Sequence, residues 1–108
     1  MKVSYRHAAS DDVVRQFRYY LVTLNLAEVA VRFRESVRRT VQGLRQHPLV
    51  GARYRSSNPQ FRNLRSWPVA GFEAIRIYYL LDDDTLRIIR ILHGKRDVKH
   101  ILERERDI

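Results

Sequence analysis

The spacing of apolar residues changes near His47-Pro48, and that change constrains the fold more than any other feature of the sequence. Before it, Val14, Phe17, Leu21 and Leu24 recur every three or four positions, and Leu26, Ala30, Phe33, Val37, Val41 and Leu44 repeat the pattern. Each series marks one face of an amphipathic helix. Asn25 separates them as a turn, and so short a connection folds the pair into a helical hairpin. Asp11 and Asp12 fall near the start of the first helix, where carboxylates suit the positive end of the helix dipole. Pro48 ends the second helix.

After the proline the period drops to two. Leu64 to Val69, Phe72 to Leu81 and Leu86 to His93 read as strands, the last two joined by Asp82-Asp83-Asp84-Thr85. Lys2 to Arg6 alternates as a further short strand, and Asp97 to Arg104 suits a short terminal helix. The order predicts one α+β domain over residues 1–108: an N-terminal strand, a helical hairpin packed on a small curved antiparallel sheet, and a short C-terminal helix.

A two- or four-residue turn at Asp82 to Thr85 sets the register. Ile75, Ile77, Tyr79 and Leu81 would then share a face with Leu86, Ile88, Arg90 and Leu92, and this richer aliphatic face should pack on the helices. Ala74, Arg76, Tyr78 and Leu80 would lie with Arg87, Ile89, Ile91 and His93 on an open face. A three-residue turn would reverse the relative parity and bury Arg87 and His93 instead.

With 108 residues, the chain buries roughly 60 to 70% of its unfolded surface, enough for one small core. No cysteine is present, which removes disulfides, thiolate metal sites and cysteine nucleophiles. No apolar run approaches the roughly 20 residues of a membrane span, and MKVSYRHAASDD lacks a signal-peptide core, so the expected location is the cytoplasm, away from membranes.

The net charge is +9, and 18 of the 21 basic residues are arginine, the side chain suited to bidentate contact with phosphate or carboxylate and to stacking on rings. A polyanionic partner and a merely solvated basic surface both fit that bias. Residues 51–70 carry Arg53, Arg55, Arg62 and Arg65 with no acid, interleaved with Tyr54, Phe61 and Trp67. Such a mixture can bind phosphates and stack bases, or meet an acidic protein.

Arg76 lies between apolar neighbours, where an unpaired guanidinium is costly to bury. It could clamp a phosphate, or form an ion pair with Glu73, Asp97 or a partner's carboxylate. His93 beside Gly94-Lys95-Arg96 has the titration range for acid or base work, or it could simply end a strand. His7, His47, His93 and His100 show no metal-ligand spacing, so no metal or cofactor is expected, and three aspartates in a tight turn read as turn formers. Serine-nucleophile and phosphate-loop patterns are absent.

Taken in order, His47-Pro48-Leu49-Val50-Gly51, Leu64-Arg65-Ser66-Trp67-Pro68-Val69, Arg76-Ile77-Tyr78-Tyr79 and Ile91-Leu92-His93-Gly94-Lys95-Arg96-Asp97 give a chain that resembles the RelE/ParE superfamily of type II toxin–antitoxin toxins, the ending being most similar to the ParE branch. The resemblance implies a compact toxin neutralised by a cognate antitoxin with a flexible acidic C-terminal part, the two forming a hetero-oligomer. It implies inhibition of DNA gyrase for the ParE branch, and ribosome-dependent mRNA cleavage for RelE-type relatives. A third reading is a detoxified binding module.

RelE-type cleavage needs cations for the developing charge and a group to move protons. Arg76, His93, Lys95 and Arg96 are the catalytic candidates on that reading, although the tyrosine usual near the end of the last strand is missing, Tyr79 being the last in the chain. The antitoxin is expected on a face comprising Arg76, Tyr78, Arg87, Ile89 and Ile91 and in the groove beside the helical hairpin, and the expected target contacts are Arg62, Arg65, Lys95, Arg96, Lys99 and Arg104.

Overall fold

The structure is a computed structural model that describes residues 1–106. Strand β1 (Lys2–Tyr5) leads into helix α1 (His7–Arg18), which continues as a π-helical turn (Tyr19–Thr23) before helix α2 (Ala27–Gln46). Strands β2 (Ala52–Arg53), β3 (Arg65–Val69), β4 (Phe72–Asp82) and β5 (Thr85–His93) follow, and helix α3 (Val98–Glu103) comes after them. The sheet order is β1-β5-β4-β3-β2. Strands β2 to β5 pair antiparallel, as expected, while β1 joins β5 in parallel and makes the sheet mixed. The hairpin chain reversal at Asn25 uses a left-handed φ of 54°, which asparagine tolerates better than most residues.

Helix α2 follows its sequence pattern closely. Ala30, Phe33, Val37, Val41 and Leu44 are buried against the sheet, whereas Leu26 stands outside the helix and is exposed. Helix α1 departs from its pattern. Val14, Leu21 and Leu24 are exposed, and Ala9, Asp12, Val13 and Tyr20 turn inward instead. The π-helical turn accounts for the change at its C-terminal end, because one extra residue per turn rephases the side chains and swings Tyr20 onto Phe33 and Phe72. The expected dipole role of Asp11 and Asp12 is also corrected: the first turn of α1 holds no acid, and Asp12 is buried in its middle.

The β4–β5 hairpin closes through Asp83-Asp84, with Asp82 opposite Thr85 and Leu81 opposite Leu86. Asp83 takes a left-handed φ of 52°. Near the turn the register matches the expectation, Ile88 facing Tyr79. Then the pairing slips, Arg90 facing Tyr78 so that Ile89 is the extra residue of a β-bulge. Beyond it the parity reverses. Ile91 and His93 join Ile75 and Ile77 on the helix side, while Arg90 and Leu92 pass to the other.

That other face is not open, which corrects a second expectation. Phe61, Leu64, Tyr78, Ile89, Leu92 and Leu102 form their own buried cluster, flanked by Tyr54, Leu80, Val98 and Ile101. The segment 54–64 and α3 therefore roof the face. Asn58 fastens the roof, its side-chain amide donating to the carbonyls of Leu102 at 3.0 Å and Glu105 at 2.8 Å.

Candidate interaction surfaces

Arg76 sits on the roofed side of β4, half-buried, and among the described residues finds no carboxylate there. Its Nε and Nη2 donate to the Ser66 hydroxyl at 3.1 and 3.0 Å, and Nη2 reaches the Ser66 carbonyl at 3.3 Å. The expected pairing with Glu73 or Asp97 is not formed. A guanidinium held by neutral oxygens keeps its full positive charge for a partner.

His93 lies across the sheet from Arg76. It pairs with Ile75, a helix-side residue, and lines a small cavity with Tyr20, Phe72, Glu73, Ala74 and Ile75. Its Nδ1 accepts the Lys95 N–H at 3.0 Å. The bulge at Ile89 produces this separation, since an uninterrupted ladder would have kept the two residues on one face. Lys95 and Arg96 are exposed on the following turn.

Of the residues expected to hold an antitoxin, Tyr78, Ile89 and Ile91 are buried, the first two under the roof and Ile91 beneath the helical hairpin. Arg87 is half-buried and paired with Asp82 at 3.3 Å. Of the expected target contacts, Arg62, Lys95, Arg96, Lys99 and Arg104 are exposed, the last four clustered on the turn before α3 and on α3 and its C-cap. Arg65 is spent locally, donating to the carbonyls of Leu49 and Gly51. At the start of α3, the Asp97 side chain caps His100 N–H and contacts its ring, and these bonds hold its carboxyl below the usual carboxylate range.

A further concavity lies elsewhere, between β1, α1 and α2. A cavity of about 390 Å³ is lined by Tyr5, Ser10, Val13, Arg34, Val37 and Arg38. The Lys2 N–H donates to the Asp84 carbonyl just before β5 and the Arg6 N–H to Ile88 within it, so alternation leaves Val3 and Tyr5 presenting backbone groups at the outer edge of the sheet. Arg34 packs over the Phe17 ring at 5.1 Å, and Arg45 further along α2 donates to the Met1 carbonyl at 2.7 Å. Burial raises the Tyr5 phenol above its ordinary value, with Arg38 opposing. An unpaired strand edge, an apolar floor and a row of arginines suit an extended acidic segment with apolar anchors. Sequence reasoning expected a groove beside the helical hairpin but not its lining residues; the available signal for them was Arg34, Arg38 and Arg45, spaced by four and seven along one helix face.

Among the described residues no group of three or more histidine or acidic side chains could hold a metal, and no helix is long and apolar enough to cross a membrane.

A family model described as "ParE toxin of type II toxin-antitoxin system, parDE" matches residues 3–98. The chain belongs to this family of toxins. Among solved structures, a chain from "Chromosomal ParDE TA system from P. aeruginosa" superposes with a TM-score of 0.69 at 20% identity, covering 86% of this chain and 95% of that one. At that identity the likeness establishes the shared fold. No match is found among curated proteins.

Proposed function

We propose that this toxin acts by inhibiting DNA gyrase, stalling the cleaved enzyme–DNA complex without catalysing a reaction of its own, and that a cognate antitoxin neutralises it. Family membership supports the toxin role, and the observation that carries the choice of target is the separation of Arg76 from His93. RNA cleavage by a 2′-hydroxyl needs a phosphate clamp and a proton-transfer group converging on one phosphate. Here the clamp candidate and the acid–base candidate lie on opposite faces of the sheet, and the chain has no tyrosine after Tyr79. A binding inhibitor requires no such convergence. The exposed cations Lys95, Arg96, Lys99 and Arg104 then serve as contacts to gyrase or its DNA.

The antitoxin's acidic segment is assigned to the groove of Tyr5, Arg34 and Arg38; Arg76 and Arg87, on the other face of the sheet, are contacts for an antitoxin that wraps around its edge. The groove joins cations to an accessible apolar floor, whereas the apolar residues of the other sheet face are covered by the roof. Purified toxin added to a gyrase supercoiling assay should accumulate cleaved plasmid. Codon-phased cuts in a translating ribosome extract, with gyrase unaffected, would overturn the reading in favour of a ribosome and mRNA target.

A further inference from the structure

The loop between α2 and β2 holds two aliphatic side chains in water, Leu49 at 66% exposure and Val50 at 46%. The loop is nevertheless tightly bonded. The Tyr79 hydroxyl donates to the Pro48 carbonyl at 2.7 Å and accepts the Gly51 N–H at 3.0 Å. Arg65 Nη1 donates to the Leu49 carbonyl at 3.2 Å and the Gly51 carbonyl at 2.7 Å, while Val50 N–H reaches the His47 carbonyl at 3.2 Å. Gly51 lies so close to the sheet that a Cβ there would stand 2.3 Å from the Tyr79 hydroxyl oxygen. The carbonyls of Pro48, Leu49 and Gly51 and the N–H groups of Val50 and Gly51 are thus satisfied from within, and the loop presents outward a pair of branched aliphatics on a backbone tied to the sheet.

Such a pair loses little conformational freedom when another surface covers it, which favours binding. Its surroundings are positive. Arg65 lies beneath the loop and Arg53 faces Arg65 across β2 and β3. Neither has an acidic partner among the described residues, and the sequence holds no Asp or Glu between Glu35 and Glu73. A second copy of a chain with net charge +9 would bring like charge to this site. Nucleic acid would satisfy the arginines and leave the aliphatic pair unmatched.

We propose that Leu49 and Val50 form a preorganised knob that docks into an apolar pocket rimmed by carboxylates on the toxin's protein target. The proposal rests on the target reading given above. The knob adjoins β2, at the opposite edge of the sheet from the groove beside β1, so target and antitoxin engage distinct surfaces.

The test compares wild type with the double variant Leu49→Ser, Val50→Ser for direct binding to purified DNA gyrase without DNA, with thermal denaturation as the fold check. Because no core contact is removed, the melting temperature should hold, while affinity should fall by about tenfold or more. The variant Leu49→Met, Val50→Ile should restore it, and Arg53→Glu should weaken binding most at low salt. Wild type and the serine variant binding alike would overturn the knob and leave the target reading intact. Wild type failing to bind gyrase would overturn the target reading and the knob's assignment to it, and binding that depends wholly on DNA would transfer the surface to nucleic acid.

Discussion

Arg90 grips Asp12 from 78 positions away, its Nε and Nη2 donating to the two carboxylate oxygens at 2.8 Å each. Asp12 also accepts the backbone N–H of Ile91 at 2.9 Å, on the edge of β5 beyond the end of β1. Arg90 reaches Glu105 on its other side, and Glu105 Oε2 lies 2.8 Å from Arg6 Nη1, an ion contact without hydrogen-bond alignment. Asp12 raises the Arg90 pKa most, with Glu105 adding to the effect against the cost of burial. One charged cluster therefore joins α1, the β-bulge and the segment after α3.

Asp12→Ala should destabilise the fold by about 3 to 5 kcal/mol, because it removes two of the bonds of a half-buried guanidinium, leaving it Glu105, and orphans the Ile91 N–H. Replacing both partners together, Asp12→Leu with Arg90→Met, should cost less than the sum of the single changes. Urea denaturation of the four proteins in a double-mutant cycle measures the coupling, and additive effects would refute it.

Tyr79 couples the loop 48–51 to pH. Burial raises its phenol above the ordinary value, opposed by the Gly51 N–H and by Arg65. The folded value exceeds the unfolded one, so the associated stability is complete below about pH 10 and is lost as pH rises through the folded value. Wild type should therefore lose stability in alkali more steeply than Tyr79→Phe, which should itself be about 1 kcal/mol less stable at neutral pH through the missing hydroxyl bonds. Parallel alkaline denaturation curves for the two proteins would contradict this.

The fold was legible where apolar period alone decides it, and less so where one residue changes the phase. Ala30, Phe33, Val37, Val41 and Leu44 predicted the buried face of α2 because an uninterrupted helix preserves its spacing. Leu21 and Leu24 misled because the π-helical turn at Tyr19–Thr23 breaks that spacing, and nothing in YYLVT announces it, while Val14, ahead of the turn, is exposed beside the inward-facing Asp12 and Val13. The register of β5 failed in the same way at Ile89, where a bulge sends His93 and Arg76 to opposite faces. Asp12 looked like a helix-dipole residue because its partner, Arg90, is remote in sequence. A groove beside the helical hairpin was legible, but its lining depends on β1, α1 and α2 meeting, which no local pattern encodes.

Charge reversal in that groove should separate binding from folding. Arg34 and Arg38 are exposed, and Arg38 has only a 3.5 Å contact with Glu35, so Arg34→Glu with Arg38→Glu should change stability by less than about 1 kcal/mol. Affinity for the coexpressed antitoxin should fall by about tenfold or more, with the loss seen mainly at low salt. Isothermal titration at two ionic strengths checks it. Unchanged affinity would move the antitoxin off this surface.

The C-terminal roof should open before the rest of the molecule. Leu102 is its fully buried anchor, while Asn58 ties down the carbonyls of Leu102 and Glu105. Helix α3 has only six residues and cannot persist without these contacts. Leu102→Ala should cost about 2 to 5 kcal/mol, and Asn58→Ala about 1 to 3 kcal/mol by taking a donor from the carbonyls of Leu102 and Glu105, the first of which keeps the Glu105 N–H. Acid should weaken the helix start too: the Asp97 carboxyl lies below its unfolded value, so the cap's support is present above that value and fades as pH falls through the folded one. Hydrogen exchange resolves the order, with amides of 98–104 expected to lose protection in Asn58→Ala while those of β4 and β5 keep theirs. Uniform loss across the sheet and α3 would mean that roof and core unfold as one unit.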